Sequence, residues 1–117
     1  MRHTVSLKRN GDFKRLYNRG KSGADSFLAV YCLRNRVKIN RLGITVSVKV
    51  GGAVVRNRVR RRIREAYRLH EAGFLSGHDI VVVSRVRAAE ADMNRICASL
   101  LQVSEKLGLY DRDRDDA

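Results

Sequence analysis

The chain has no proline, no tryptophan, only two cysteines in 117 residues, and 12 acids against 25 lysines and arginines. Each shortage excludes something. Cys32 and Cys97 are isolated and have apolar neighbours, so they read as reduced core thiols rather than a disulfide. No apolar run approaches the roughly 18 residues of a membrane span, and no charged-then-apolar leader opens the chain. The expectation is a soluble, cytoplasmic protein with no membrane partner. The missing prolines remove one marker of element boundaries, which leaves that role to glycines.

The shortage of acids also bears on catalysis. Apart from the last eight residues they are Asp12, Asp25, Glu65, Glu71, Asp79, Glu90, Asp92 and Glu105. They are scattered, and no pair has the spacing of a two-metal nuclease. His3, His70 and His78 show no metal-ligand spacing with each other or with the cysteines. His70, near a helix end, reads as a helix-terminal cation rather than a general base. Gly51-Gly52 matches neither a dinucleotide nor a P-loop pattern. No catalytic or metal-ligating set emerges, and no cofactor is expected on this chain.

Positive charge is abundant. The formal net charge is +13 and the pI about 10.9, which is a statement about partners rather than fold. Residues 1–109 hold 23 basic residues against 8 acids, a net of +15; residues 110–117 hold four acids and two arginines. A polyanion is the expected partner, nucleic acid before an anionic membrane.

The charge concentrates in residues 51–68, where seven arginines (56, 58, 60, 61, 62, 64, 68) surround one acid, Glu65. Val55, Val59, Ile63, Ala66 and Tyr67 recur there at helical spacing and form one apolar stripe. At about 100° per residue, Arg60, Arg61, Arg64 and Arg68 fan over one flank, and Arg58 and Arg62 over the other. A merely solvated face usually mixes lysine and glutamate. Seven arginines that repel one another suit phosphates, which the guanidinium fork grips through two oxygens.

The rest reads as one α/β domain of about 100 residues. Residues 1–9 are expected to be a flexible basic lead. A short helix runs from Asn10 to about Asn18 and stops at Gly20, with Phe13, Leu16 and Tyr17 on one face. Residues 26–33 read as a strand. Residues 41–50 alternate, with Leu42, Ile44, Val46, Val48 and Val50 pointing one way. The short connection between these strands predicts an antiparallel hairpin. The arginine helix extends to about Glu71, residues 79–84 form a strand covered on both faces, and residues 89–107 form the last helix. Residues 110–117 are expected to be a disordered tail.

Aromatic residues are few. Core packing suits each singly, but Phe13 and Tyr17 on the helix and Tyr31 on the strand can together line a groove on which unpaired bases stack.

Four stretches together resemble the bacterial ribonuclease P protein component: Asp12-Phe13-x-x-Leu16-Tyr17-x-x-Gly20, Arg41-Leu42-Gly43-Ile44-Thr45-Val46-Ser47, Gly51-x-Ala53-Val54-x-Arg56-Asn57-Arg58-x-x-Arg61-x-Ile63-Arg64-Glu65, and Asp79-Ile80-Val81-Val82. The resemblance spans about residues 8–108. It implies a compact α+β domain of order αβββαβα, with about four strands and a left-handed crossover into the last one. It implies a non-catalytic subunit that binds a catalytic RNA and the 5′ leader of precursor tRNA, with no obligate protein partner. The RNA would do the chemistry, using Mg²⁺. Phe13, Tyr17, Tyr31, Val46, Ser47 and Lys49 would line the leader path. Arg56, Asn57, Arg58, Arg60, Arg61, Arg64 and Arg68 would grip the RNA subunit. Val48 and Gly52 depart from the family's frequent lysine and asparagine. The rival reading from the residues alone is a stand-alone RNA- or DNA-binding protein, for instance a ribosome-associated one.

Overall fold

In a computed structural model that describes residues 3–116, one five-stranded mixed sheet carries helices on both faces. The elements are β1 (Thr4–Ser6), α1 (Asn10–Arg19), β2 (Lys21–Ala24), β3 (Leu28–Arg34), β4 (Asn40–Val46), α2 (Ala53–His70), β5 (His78–Ser84), α3 (Met93–Lys106) and α4 (Arg112–Asp116). The expected αβββαβα order is present, extended by a strand at the start and a short helix at the end.

The strand order is β1-β4-β5-β3-β2. The expected hairpin between β3 and β4 is absent: β5 lies between them, antiparallel to β3 and parallel to β4. The reason is burial. Ile80, Val81 and Val82 are fully buried and point to alternate faces, so β5 must be covered on both sides and paired on both edges. The hairpin is instead β2–β3. Both outer strands lacked a sequence signal, because β1 and β2 bury almost none of their residues and so show no alternation.

Two apolar layers flank the sheet. Leu7, Leu16 and Val81 form the smaller one beneath α1, with Phe13, Tyr31, Leu33 and Val83 packed against them. The larger layer lies under α2 and α3. Val59, Ile63, Ala66 and Tyr67 from α2 and Ile96, Leu100 and Val103 from α3 meet Val30, Leu42, Ile80 and Val82 there. The stripe deduced for the arginine helix is thus the buried one.

Close approach explains one glycine. A Cβ at Gly20 would lie 2.7 Å from the Leu16 carbonyl oxygen and 2.8 Å from that of Cys32, so only glycine lets α1 end against β3.

Several boundaries moved. The alternation assigned to residues 41–50 breaks at Val46, and a 3-10 turn at Val48–Val50 leaves Val48 73% exposed while Val50 returns to the core. The last helix starts at Met93 because the Asp92 carboxylate accepts the Arg95 backbone N–H at 2.8 Å.

The lead and the tail are both corrected. The Thr4 hydroxyl sits between the Tyr67 hydroxyl (2.8 Å) and the Glu71 carboxylate, and β1 pairs with β4. The fully buried Tyr67 needs polar partners for its hydroxyl, and Thr4 and Asn40 supply them. At the other end Tyr110 is buried and bridges Phe74; its hydroxyl donates to Asp115 at 2.6 Å. Asp115 also meets His70 Nδ1 at 2.7 Å. The segment thus docks at the C-terminal end of α2 through the Asp115 hydrogen bonds and one aromatic anchor. Residues 1, 2 and 117 of these two expectations lie outside the described residues.

Candidate nucleic-acid interface

On the α1 face, successive cross-strand rows can be followed through the register. Arg41, Asp79 and Leu33 form one row, Gly43, Val81 and Tyr31 the next, and Thr45, Val83 and Ala29 a third. α1 lies across the first two. Phe13 rests over Gly43, where a Cβ would stand 2.6 Å from its ring. The Tyr17 and Tyr31 rings meet edge to face at 4.9 Å, and the Tyr17 hydroxyl lies 3.2 Å from Thr45 Oγ1. Tyr17 remains 41% exposed, and Thr45, Val83 and Ala29 are part-exposed. An aromatic wall thus stands over an open strip of sheet.

At the strand ends lies a basic pocket of about 480 Å³ lined by Ser26, Ser47, Lys49, Ser84, Arg85, Val86 and Arg87. Ser47 and Lys49 were expected there. Arg85 and Arg87 were missed, because nothing in the local pattern ties residues 85–87 to residue 47; sheet pairing does. Val46 does not belong on this face. It is buried in the α2-side core, since the strand period of two points it away from Thr45 and Ser47.

α2 carries seven arginines and one glutamate on the opposite face of the sheet. The Arg62 guanidinium donates to the Ala91 carbonyl at 2.7 Å, and Arg58 reaches the Ala89 carbonyl at 3.5 Å. These two anchor α2 to the segment before α3 as well as carrying charge. Arg60 donates to Asn57 Oδ1 at 3.3 Å, and Arg68 pairs with Glu65. The Arg68 hydrogen bonds hold the Glu65 carboxyl below its ordinary range. Arg61 and Arg64 are exposed and, among the described residues, unpaired. Gly52 caps α2 without a side-chain bond.

The remaining carboxylates are largely consumed by the fold. Asp25 accepts the Phe27 and Leu28 backbone N–H groups at 2.8 and 2.9 Å. Asp79 is 1% exposed; Arg41 grips it through two bonds of 2.7 and 2.6 Å, with Asn35 donating at 2.9 Å. Burial pushes its carboxyl up, and these donors more than offset that, leaving it below the usual range. Few acids are left to neutralise the arginines.

The two sets of residues meet at one place. Where β1 stops, a hollow of about 200 Å³ opens at the β4 edge, lined by Leu7, Phe13, Gly43, Ile44, Arg60 and Arg64. Among the described residues, no group of three or more His, Cys, Asp or Glu side chains could hold a metal ion. Among the described residues, no helix is long and apolar enough to cross a membrane.

The ribonuclease P family model matches residues 1–108. The chain belongs to the ribonuclease P protein family. Ribonuclease P protein components of Alkaliphilus metalliredigens and Caldanaerobacter subterraneus are each 40% identical; the matches cover 93% and 92% of this chain and 98% and 92% of theirs. The Staphylococcus aureus RNase P protein superposes with a TM-score of 0.85 at 36% identity, over 92% of this chain and 98% of that one. The Thermotoga maritima RNase P protein gives 0.76 at 32% identity, over 83% and 92%. Members of this family are protein components of ribonuclease P, part of a holoenzyme.

Proposed function

We propose that this chain is the protein subunit of a bacterial ribonuclease P, assisting removal of the 5′ leader from precursor tRNA while the RNA subunit performs the Mg²⁺-dependent chemistry. The observation that carries this reading is a pair of unlike surfaces on opposite faces of one sheet that meet at its β4 edge. The α2 arginines, Arg56, Arg58, Arg60, Arg61, Arg64 and Arg68 with Asn57, face the phosphates of the RNA subunit. Guanidinium groups there screen repulsion between RNA segments. Phe13, Tyr17 and Tyr31 stack unpaired leader bases over the Thr45 strip, and Ser47, Lys49, Arg85 and Arg87 hold the leader's phosphates. Stacking tolerates any base, which suits leaders of varied sequence. Binding the leader favours precursor over mature tRNA. The chain works in the cytoplasm, with RNA rather than protein as its obligate partner.

The test is cleavage of a precursor tRNA at low Mg²⁺ by a bacterial ribonuclease P RNA, with and without the protein, beside a protein-alone lane. Stimulation with both present is expected. No stimulation, with equal binding to any RNA offered, would favour a stand-alone nucleic-acid binder. Cleavage by the protein alone would overturn the non-catalytic role.

A further inference from the structure

One hollow belongs to neither surface above. Its volume is about 380 Å³, near the lower end of the roughly 300–1,000 Å³ in which small ligands are held. It lies where the end of α1, the start of β2, the end of β3, the start of β5 and the turn after α3 converge. Sheet register fixes part of its wall, because Lys21 pairs with Cys32 across β2–β3 and Arg34 with His78 across β3–β5. Helix termination fixes the rest. Gly108 takes the left-handed conformation at φ 72°, and its N–H donates to the Glu105 carbonyl at 3.0 Å. The Leu109 N–H returns to the Ser104 carbonyl at 2.9 Å. That turn ends α3 and sets both Leu107 and Leu109 on the hollow. A Cβ at Gly108 would meet no atom within 4 Å, so the backbone leaves open space there.

The lining divides by exposure. Leu109 and Cys32 are buried, Leu33 and Leu107 are half-buried, and together they make an apolar floor. Arg19, Lys21 and Arg34 are exposed and make a cationic rim. No acidic side chain lines the hollow, and among the described residues these three cations have no acidic partner. Lys21 commits one of its three N–H donors to the Leu107 carbonyl at 3.1 Å, which leaves two. Its charge is felt at the floor: burial pushes the Cys32 thiol up, and Lys21 pulls the other way. Three cations around an apolar floor thus lack a counter-charge of their own and repel one another in the free protein.

The occupant follows from this pairing of chemistries. An inorganic anion or a phosphate backbone would satisfy the rim and leave the leucines against water. A neutral apolar molecule would cover the floor and leave the guanidinium forks unused. No aromatic side chain lines the hollow, so an unpaired base has no ring on which to stack. An amphipathic anion meets both demands, its carboxylate gripped by guanidinium forks and its hydrocarbon body laid on the leucines. We propose that the Leu33–Leu107–Leu109 hollow binds a small amphipathic carboxylate, held at its charged end by Arg19, Lys21 and Arg34. The site stands apart from the RNA surfaces. Arg34 and Leu28, which pairs with Ser84 of the basic pocket, are the two ends of β3, about 20 Å apart at ~3.3 Å per residue. No α2 residue lines the hollow. The proposal is independent of the ribonuclease P reading.

The test titrates the full-length chain with octanoate, below the concentration at which it forms micelles. Octanol and inorganic phosphate serve beside it as probes that each lack one half of the chemistry. Leucine methyl shifts in ¹H–¹³C spectra report where each probe binds. Octanoate is expected to move the Leu33, Leu107 and Leu109 methyls saturably, and the other two probes to leave them in place at the same concentration. Lys21→Gln/Arg34→Gln should weaken octanoate binding by about tenfold or more, whereas the charge-matched Lys8→Gln/Lys14→Gln should not. If the first variant melts below the parent, Arg19→Gln replaces it with the same direction expected. Octanoate shifts spread over the whole basic surface, or an affinity kept by the folded Lys21→Gln/Arg34→Gln variant, overturn the site. Octanol or phosphate binding as tightly as octanoate overturns the assigned ligand class. Displacement of octanoate by a bacterial ribonuclease P RNA overturns the proposal too, because the hollow would then belong to RNA.

Discussion

Gly43→Ala puts one methyl group where the aromatic wall meets the sheet. The added Cβ would lie 2.6 and 2.7 Å from two ring carbons of Phe13, while Leu7 at 3.5 Å tolerates it. Ordinary contact begins near 3.4 Å, so the ring must retreat by about 0.8 Å. α1 cannot simply lift, because Leu16 is fully buried beneath it and would be uncovered. The Phe13 side chain must therefore swing. Overpacking of this kind costs about 1–3 kcal/mol of stability. If Phe13 stacks a leader base, its loss costs a further ~1–3 kcal/mol of leader binding, or about 5- to 150-fold in Kd. The assay is the affinity of the reconstituted holoenzyme for precursor tRNA beside mature tRNA. Precursor affinity is expected to fall and mature tRNA affinity to hold. Adding Phe13→Leu to Gly43→Ala removes the clash but not the deficit, so stability recovers while leader binding does not. Parent-level discrimination by a folded Gly43→Ala variant would refute the placement of the leader against Phe13.

Three further outcomes are expected. Leu16→Ala should cost about 3 kcal/mol, because the side chain is fully buried between α1 and Val81; thermal unfolding should drop by about 10 °C or more. Asp79→Asn should flatten the acid limb of stability. The lowered carboxyl of Asp79 contributes fully above the ordinary carboxylate value near 3.9, and that contribution is lost as the pH falls below it. Urea midpoints of parent and variant should therefore converge toward pH 3, and parallel pH profiles would contradict the Arg41–Asp79 account. Arg61→Ala/Arg64→Ala should leave the melting temperature within about 2 °C, since both side chains are exposed and, among the described residues, unpaired. It should lower the salt slope of RNA-subunit binding by about 2.

The arginine helix was legible from the chain because its two signals are local. A 3.6-residue apolar stripe needs a core to dock on, and seven arginines beside one glutamate need a polyanion. The first helix and the buried last strand were legible for the same reason. Strand partners were not. β5 wedges between β3 and β4 because its doubly buried face can be satisfied only at the centre of a sheet, a global condition that no window of sequence contains. β1 and β2 bury too little to leave a pattern, and the lead and tail folded through long-range partners: Thr4 with Tyr67, and Tyr110 and Asp115 with Phe74 and His70. The groove was half legible. Phe13 and Tyr17 share a helix face by spacing, whereas Val46 had to be exchanged for Thr45, and Arg85 and Arg87 added, once register assigned each side chain to a face. A hollow lined by Arg15, Arg19, Arg34, Arg36 and Arg41, between α1 and the loop joining β3 to β4, belongs wholly to tertiary structure. Its charges are unremarkable one by one along a basic chain, and only the packing of α1 across the sheet gathers them around a single space.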